Sequence, residues 1–130
     1  MIDASAARIA VIVDALVSSR PSVLFHCLGG RDRTGILAAL VLSVAGVPNV
    51  LIDDDFVLSD ERMAPRYAKW RESFTRTQIA RADRARSEAR ASIRAALWRV
   101  RTRWGGPERY LLTHGISGGL LDQLQSAFVD

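Results

Sequence analysis

The stretch from Val23 to Gly35 constrains this chain more than any other. Val23-Leu24-Phe25-His26 is apolar at successive positions, Gly29 and Gly30 follow almost at once, and a largely apolar segment runs from Arg33 to Ala45. An apolar run without alternation reads as a strand buried on both faces, as in a parallel sheet. The glycines after it mark a tight loop. The apolar segment beyond is long enough for a helix and is closed by Gly46 and Pro48. Strand, loop and helix in that order gather the N–H groups of the loop and of the helix N-terminus around one point, which is a place for an anion.

The rest of the chain reads as helices. Asp3 to Ser19 is a helix with Ile9, Val13, Leu16 and Val17 on one face and Asp3 or Ser5 as cap; Arg20-Pro21-Ser22 breaks it. Pro48 to Ser59 is ambiguous, because Asp53, Asp54 and Asp55 interrupt its apolar residues. Asp60 to Phe74 is helical, with Met63, Tyr67, Trp70 and Phe74 at spacings of three and four. Arg76 to Arg103 reads as one long helix whose apolar line is Ile79, Ala82, Ala89, Ile93, Leu97, Val100 and Trp104, stopped by Gly105-Gly106-Pro107. Two short helices follow, Pro107 to Thr113 closed by Gly115 and Gly118 to Val129 capped by Ser117.

Composition narrows the function classes. A length of 130 residues with 48% hydrophobic composition fits one domain with a core. The single cysteine excludes a disulfide scaffold, and Cys27 with His26 and His114 cannot supply the usual zinc ligand sets. No metal or other cofactor is expected. Ile36 to Val47, the longest apolar run, falls short of the roughly 20 residues a bilayer needs, so no transmembrane segment is expected. Asp3 and Arg8 interrupt any secretory pattern, and the expected location is the cytoplasm. Net charge is +4, and Lys69 is the lone lysine among 18 basic residues. The simplest reading of the arginines between 76 and 103 is a solvated helix face; anionic steering is a sharper one, and specific nucleic-acid binding is not expected. Asp53, Asp54 and Asp55 read as a solvated face, Trp70, Trp98, Trp104 and Tyr110 as packing residues, and His114 as a surface or C-capping residue.

Five residues separate Cys27 from Arg33 in His26-Cys27-Leu28-Gly29-Gly30-Arg31-Asp32-Arg33-Thr34-Gly35. This arrangement resembles the phosphate loop of the cysteine-dependent phosphatases of the protein tyrosine phosphatase superfamily. Converging N–H groups and the positive helix end favour a Cys27 thiolate, the nucleophile that attacks phosphorus. The Arg33 guanidinium forks two phosphoryl oxygens. Leu28, Gly29, Gly30, Arg31 and Thr34 complete the phosphate-binding loop, with the Thr34 hydroxyl donating to the leaving thiolate; His26 and Gly35 support it.

The run is closest to the H-C-x-x-G-K-D-R-T-G version found in a bacterial and fungal branch. There the loop aspartate has been proposed as general acid, which maps onto Asp32; a loop-stabilising carboxylate paired with Arg31 or Arg33 is the alternative. The branch's lysine falls on Arg31. The resemblance continues through Ala38 to Pro48, Asp55-Phe56-Val57-Leu58-Ser59, Arg103 to Leu111 and Gly115-Ile116-Ser117. It implies an α/β fold, of which this chain holds a mostly helical part with one strand before the phosphate loop. It implies a single catalytic domain over residues 1–130, shortened at its N-terminus, since the upstream strands of the branch are absent from the chain. It also implies a phosphorylated protein or phosphoinositide as substrate. With the upstream strands missing, three outcomes are open: a truncated reading frame, a partner chain completing the sheet, or a rearranged short fold. An inactive fragment that binds phosphate or a partner protein is the alternative function.

Overall fold

The computed structural model describes residues 2–19 and 23–127. After a 3₁₀ turn at Asp3–Ser5, seven helices follow: α1 (Ala6–Ser18), α2 (Asp32–Val44), α3 (Asn49–Arg71), α4 (Arg76–Ser87), α5 (Ala89–Trp104), α6 (Pro107–Thr113) and α7 (Gly118–Ser126). No strand forms among the described residues, which corrects the expected strand at Val23–His26. A strand needs a neighbour for its N–H and C=O groups, and the described chain folds entirely into helices. Residues 23–27 therefore carry no ladder; Leu24 is 89% exposed, while Phe25 packs against the main core. The break expected at Arg20-Pro21-Ser22 and the last residues of the final helix lie outside the described residues.

The core lies on both sides of α2. Leu37, Leu40, Val41 and Val44 pack with Ile9 and Val13 of α1, Val100 of α5, Tyr110 and Leu111 of α6, and Leu121 and Leu124 of α7. Ala39 belongs to a second cluster with Ile52 and Phe56 of α3 and Ala89 and Ile93 of α5. A helix walled on both sides is apolar nearly all round, which is why Ile36 to Val44 shows so little amphipathic pattern.

Two helices differ in extent from expectation. The ambiguous Pro48–Ser59 stretch joins the next segment in one 23-residue helix, α3, with Pro48 at its N-cap. The arginine-rich stretch is two helices, divided at Glu88 (φ −96°, ψ 7°). Ser87 Oγ bonds back to the Arg84 carbonyl at 2.9 Å, a local competitor of the helical ladder that bends helices. Past the break, Ala89 and Ile93 are buried against α3. Thr75 and Gln78 form a capping box at the start of α4, and Ser117 Oγ accepts from Leu120 N at 3.2 Å to cap α7.

Neither Asp3 nor Ser5 caps α1 through its side chain. Asp3 instead accepts from Arg99 Nε at 2.7 Å and from Arg103 at 3.3 Å, tying the first turn to α5. The Arg99 hydrogen bond holds the Asp3 carboxyl below its ordinary range. Arg90 pairs with Asp54 at 2.7 Å and Arg94 with Asp53 at 2.5 Å. So Arg90, Arg94, Arg99 and Arg103 of α5 stitch that helix to acids elsewhere in the chain. Asp53 is 1% exposed, and its burial corrects the expectation of a solvated acidic face. Trp98, expected in packing, is 66% exposed. Trp104 and Tyr110 do pack, edge to face at 5.1 Å, and His114 caps α6 with Nδ1 2.7 Å from the Tyr110 carbonyl.

Candidate active site

Cys27 stands at the end of the irregular segment 23–27, five residues before the first residue of α2. Gly30 has φ +64°, the left-handed turn a side chain disfavours, and it lets the chain double back toward the helix. The turn brings the backbone N–H groups of Gly29, Gly30 and Thr34 near the sulfur. Burial pushes the Cys27 thiol up. The Thr34 hydroxyl, with those backbone N–H groups, outweighs burial and brings the thiol down to about 6 from 9.0. Thr34 Oγ1 is itself buried with no hydrogen-bond partner, which leaves it available to a thiolate at Cys27.

The remaining residues of the motif divide between two concavities. His26, Cys27, Arg33 and Thr34 line one of about 280 Å³, together with Ser5, Arg8 and Ile12 of the N-terminal region and Phe25. Gly29, Arg31 and Asp32 line another of about 410 Å³, walled by Asp60, Met63, Tyr67 and Trp70 of α3 and by Phe74 and α4. The Arg33 guanidinium is exposed beside the cysteine. Leu28, at 94% exposed, points its side chain to solvent and contributes backbone alone to the turn. His26 Nδ1 lies 3.4 Å from its neighbour's carbonyl, Cys27 O, a contact within the loop.

Arg31 does not face the cysteine. Its Nε donates to Asp60 Oδ1 at 2.6 Å, Nη2 to Asp60 Oδ2 at 3.2 Å and to the Ala85 carbonyl at 2.6 Å, and Nη1 to Asp32 Oδ1 at 2.9 Å. Asp32 thus takes the Arg31 pairing, one of the two arrangements open from the sequence, while its carboxylate stays 63% exposed.

Gly35 has a steric duty: a Cβ there would come within 2.5 Å of Phe56 Cε2 and 2.6 Å of Cδ2. The glycine lets α2 close on α3 directly behind the loop. Arg8, Ser5 and Asp60 were not legible as site residues. Ser5 sits on the N-terminal 3₁₀ turn and Arg8 in the first turn of α1, neither within a motif, and Asp60 reaches Arg31 across 29 positions of sequence. Among the described residues no group of His, Cys, Asp and Glu is arranged to hold a metal ion. No described helix is long and apolar enough to cross a membrane.

A tyrosine-protein phosphatase of Nostoc commune is 36% identical over 115 residues, covering 80% of this chain and 38% of its own length. The triple specificity protein phosphatase PtpB of Mycobacterium tuberculosis is 42% identical over 50 residues, 38% of this chain and 18% of that protein. The chain therefore spans well under half the length of these relatives. The family model described as the tyrosine phosphatase family matches residues 1–130, and the chain belongs to that family.

Proposed function

We propose that this chain carries the phosphate-binding and nucleophilic part of a phosphomonoester hydrolase that works through a phosphocysteine. One observation carries the reading: the Thr34 hydroxyl and the Thr34, Gly30 and Gly29 N–H groups, at the N-terminus of α2, bring the Cys27 thiol down to about 6. A thiolate is then abundant at neutral pH, and the groups that stabilise it are the ones a phosphate dianion needs.

Cys27 attacks phosphorus; the S–P bond forms as the P–O bond to the leaving group breaks, and the leaving oxygen takes a proton. Arg33, exposed at the rim of the same cavity, forks two phosphoryl oxygens. Water then attacks phosphorus, the S–P bond breaks, and the Thr34 hydroxyl stabilises the departing thiolate. Asp32 is the proton donor of the first step and the base of the second, for which its carboxylate turns away from Arg31. The substrate is a phosphorylated protein or a phosphoinositide, met in the cytoplasm.

Residues 23–27 carry no ladder, and Leu24 and Leu28 are open to solvent. This supports a partner chain that supplies a strand to the segment leading into the loop. A second reading, a phosphate-binding protein without turnover, is favoured by the Arg31 partner of Asp32. Phosphate release from an aryl phosphate, a phosphotyrosine peptide and a phosphoinositide separates the two readings. Turnover by wild type that is lost in Cys27→Ser and reduced at least about 100-fold in Arg33→Ala is expected for the enzyme. Folded protein that binds phosphate and turns over none of the three substrates sinks it.

A further inference from the structure

The residue that resemblance assigns to substrate is here committed to the protein. The Arg31 side chain is 18% exposed and that of Asp60 14%. The guanidinium is forked by both Asp60 oxygens, capped by the Ala85 carbonyl near the end of α4, and flanked by Asp32. Three of its nitrogens are occupied, and two carboxylates balance its charge. Asp60 is held in turn: its backbone carbonyl accepts from Arg86 Nη2 at 3.0 Å, and Arg86 lies over the Tyr67 ring at 4.6 Å. One knot therefore joins the loop to α3 and α4.

The loop has few other anchors. Leu28 is exposed, Gly29 and Gly30 have no side chains, and the His26 contact is local. Among the described residues, Arg31 supplies the side-chain hydrogen bonds recorded between residues 26–31 and distant parts of the chain. Arg31 is also the N-cap of α2, and its carbonyl accepts the first helical bond, from Gly35 N at 2.7 Å. Fixing its side chain fixes the junction from which Gly29 and Gly30 present their N–H groups.

We propose that Asp60 is a positioning residue for the phosphate loop: it grips Arg31 as a strut, holding the Gly29–Gly30 turn around Cys27 and withholding Arg31 from the substrate. A fork of two carboxylate oxygens matches a guanidinium as an amide or an ammonium cannot. This rests on the phosphatase reading for its consequence in specificity, and stands without it for the loop geometry. The consequence is that the loop offers no free cation at position 31 for a second phosphate, so a singly phosphorylated ester is preferred over a polyphosphorylated inositol lipid.

The test reads the cysteine directly and requires no turnover. The rate of Cys27 alkylation by iodoacetamide is followed against pH in wild type, Asp60→Asn, Asp60→Glu and Arg31→Gln, with far-UV circular dichroism reporting the fold. Asp60→Asn and Arg31→Gln each raise the alkylation midpoint by about one pH unit, so the thiolate fraction at pH 6 falls from about a half to about a tenth. Asp60→Glu restores most of the shift. If either helical variant leaves the midpoint unchanged, the strut is refuted; where one variant loses its helicity, the other decides. Specificity is scored separately, as kcat/KM for a phosphotyrosine peptide over that for phosphatidylinositol 4,5-bisphosphate. Asp60→Asn is expected to lower that ratio at least about fivefold by freeing Arg31; an unchanged ratio overturns the withholding of Arg31. Absence of turnover with a shifted midpoint defeats the phosphatase reading and the specificity claim together, while the strut survives.

Discussion

Replacing Gly35 by alanine tests how the loop-bearing helix is seated. Alanine in a helix ordinarily gains up to about 1 kcal/mol over glycine. At this position the added Cβ meets Phe56 Cε2 at 2.5 Å and Cδ2 at 2.6 Å, closer than a carbon contact allows. Phe56 cannot swing aside easily. It is 6% exposed and packed with Ala39, Ile52, Ala89 and Ile93. Overpacking of such a site costs about 1–3 kcal/mol, so Gly35→Ala is expected to destabilise by about 1–2 kcal/mol after the propensity gain. Phe56→Val removes both clashing carbons. It carries its own cavity cost, about 2–3 kcal/mol and short of the 3–5 seen for full truncation to alanine. In that background Gly35→Ala becomes neutral or stabilising, and the double-mutant cycle returns a coupling of about 1–3 kcal/mol. Urea unfolding followed by far-UV circular dichroism supplies all four stabilities. An equal effect of Gly35→Ala in both backgrounds, or a higher urea midpoint for the single variant, refutes the reasoning.

Cys27 adds a pH dependence of known sign. Its folded thiol titrates at about 6 against 9.0 unperturbed, so its contribution is full above the unfolded value and vanishes as pH falls through 6. The difference in Tm between wild type and Cys27→Ser is expected to widen from pH 6 to 9; a flat difference contradicts the depressed thiol. For the Asp53–Arg94 pair, the acid is buried and the Arg94 side chain 61% exposed. Arg94→Ala strands a buried carboxylate whose Oδ1 already lacks a partner and costs about 1–3 kcal/mol, whereas Asp53→Leu is neutral or stabilising in denaturant titration. Tyr110, buried and donating to the Ile2 carbonyl at 2.9 Å, has its phenol pushed up to about 12 by burial and by the Asp3 charge. Stability should decline as pH rises from 10 toward 12, and Tyr110→Phe should remove that decline at a cost of about 1 kcal/mol at neutral pH.

The readable parts of the molecule were those with local causes. The turn at Gly30, the start of α2, the helix ends at Gly105 and Gly115 and the Ser117 cap each depend on residues within a few positions. Val23–His26 has the composition of a buried strand, but a strand is a property of a pair, and composition cannot say whether the neighbour is present. Charge placement was legible even less. Asp53 sits in a row of three acids, and only the fold turns it inward to Arg94, 41 positions away. Among the motif residues, the grouping of Cys27, Arg33 and Thr34 follows from the Gly29–Gly30 turn into α2. The diversion of Arg31 depends on Asp60 and on where α4 ends, neither of which the motif contains.

The position of α2 between two apolar clusters sets how this molecule comes apart. Its side chains belong to both, with Leu40 and Val44 on one side and Ala39 on the other. Neither cluster can open without stripping cover from the helix whose first turn surrounds Cys27. Amide protons in the middle of α2 should exchange only through global opening.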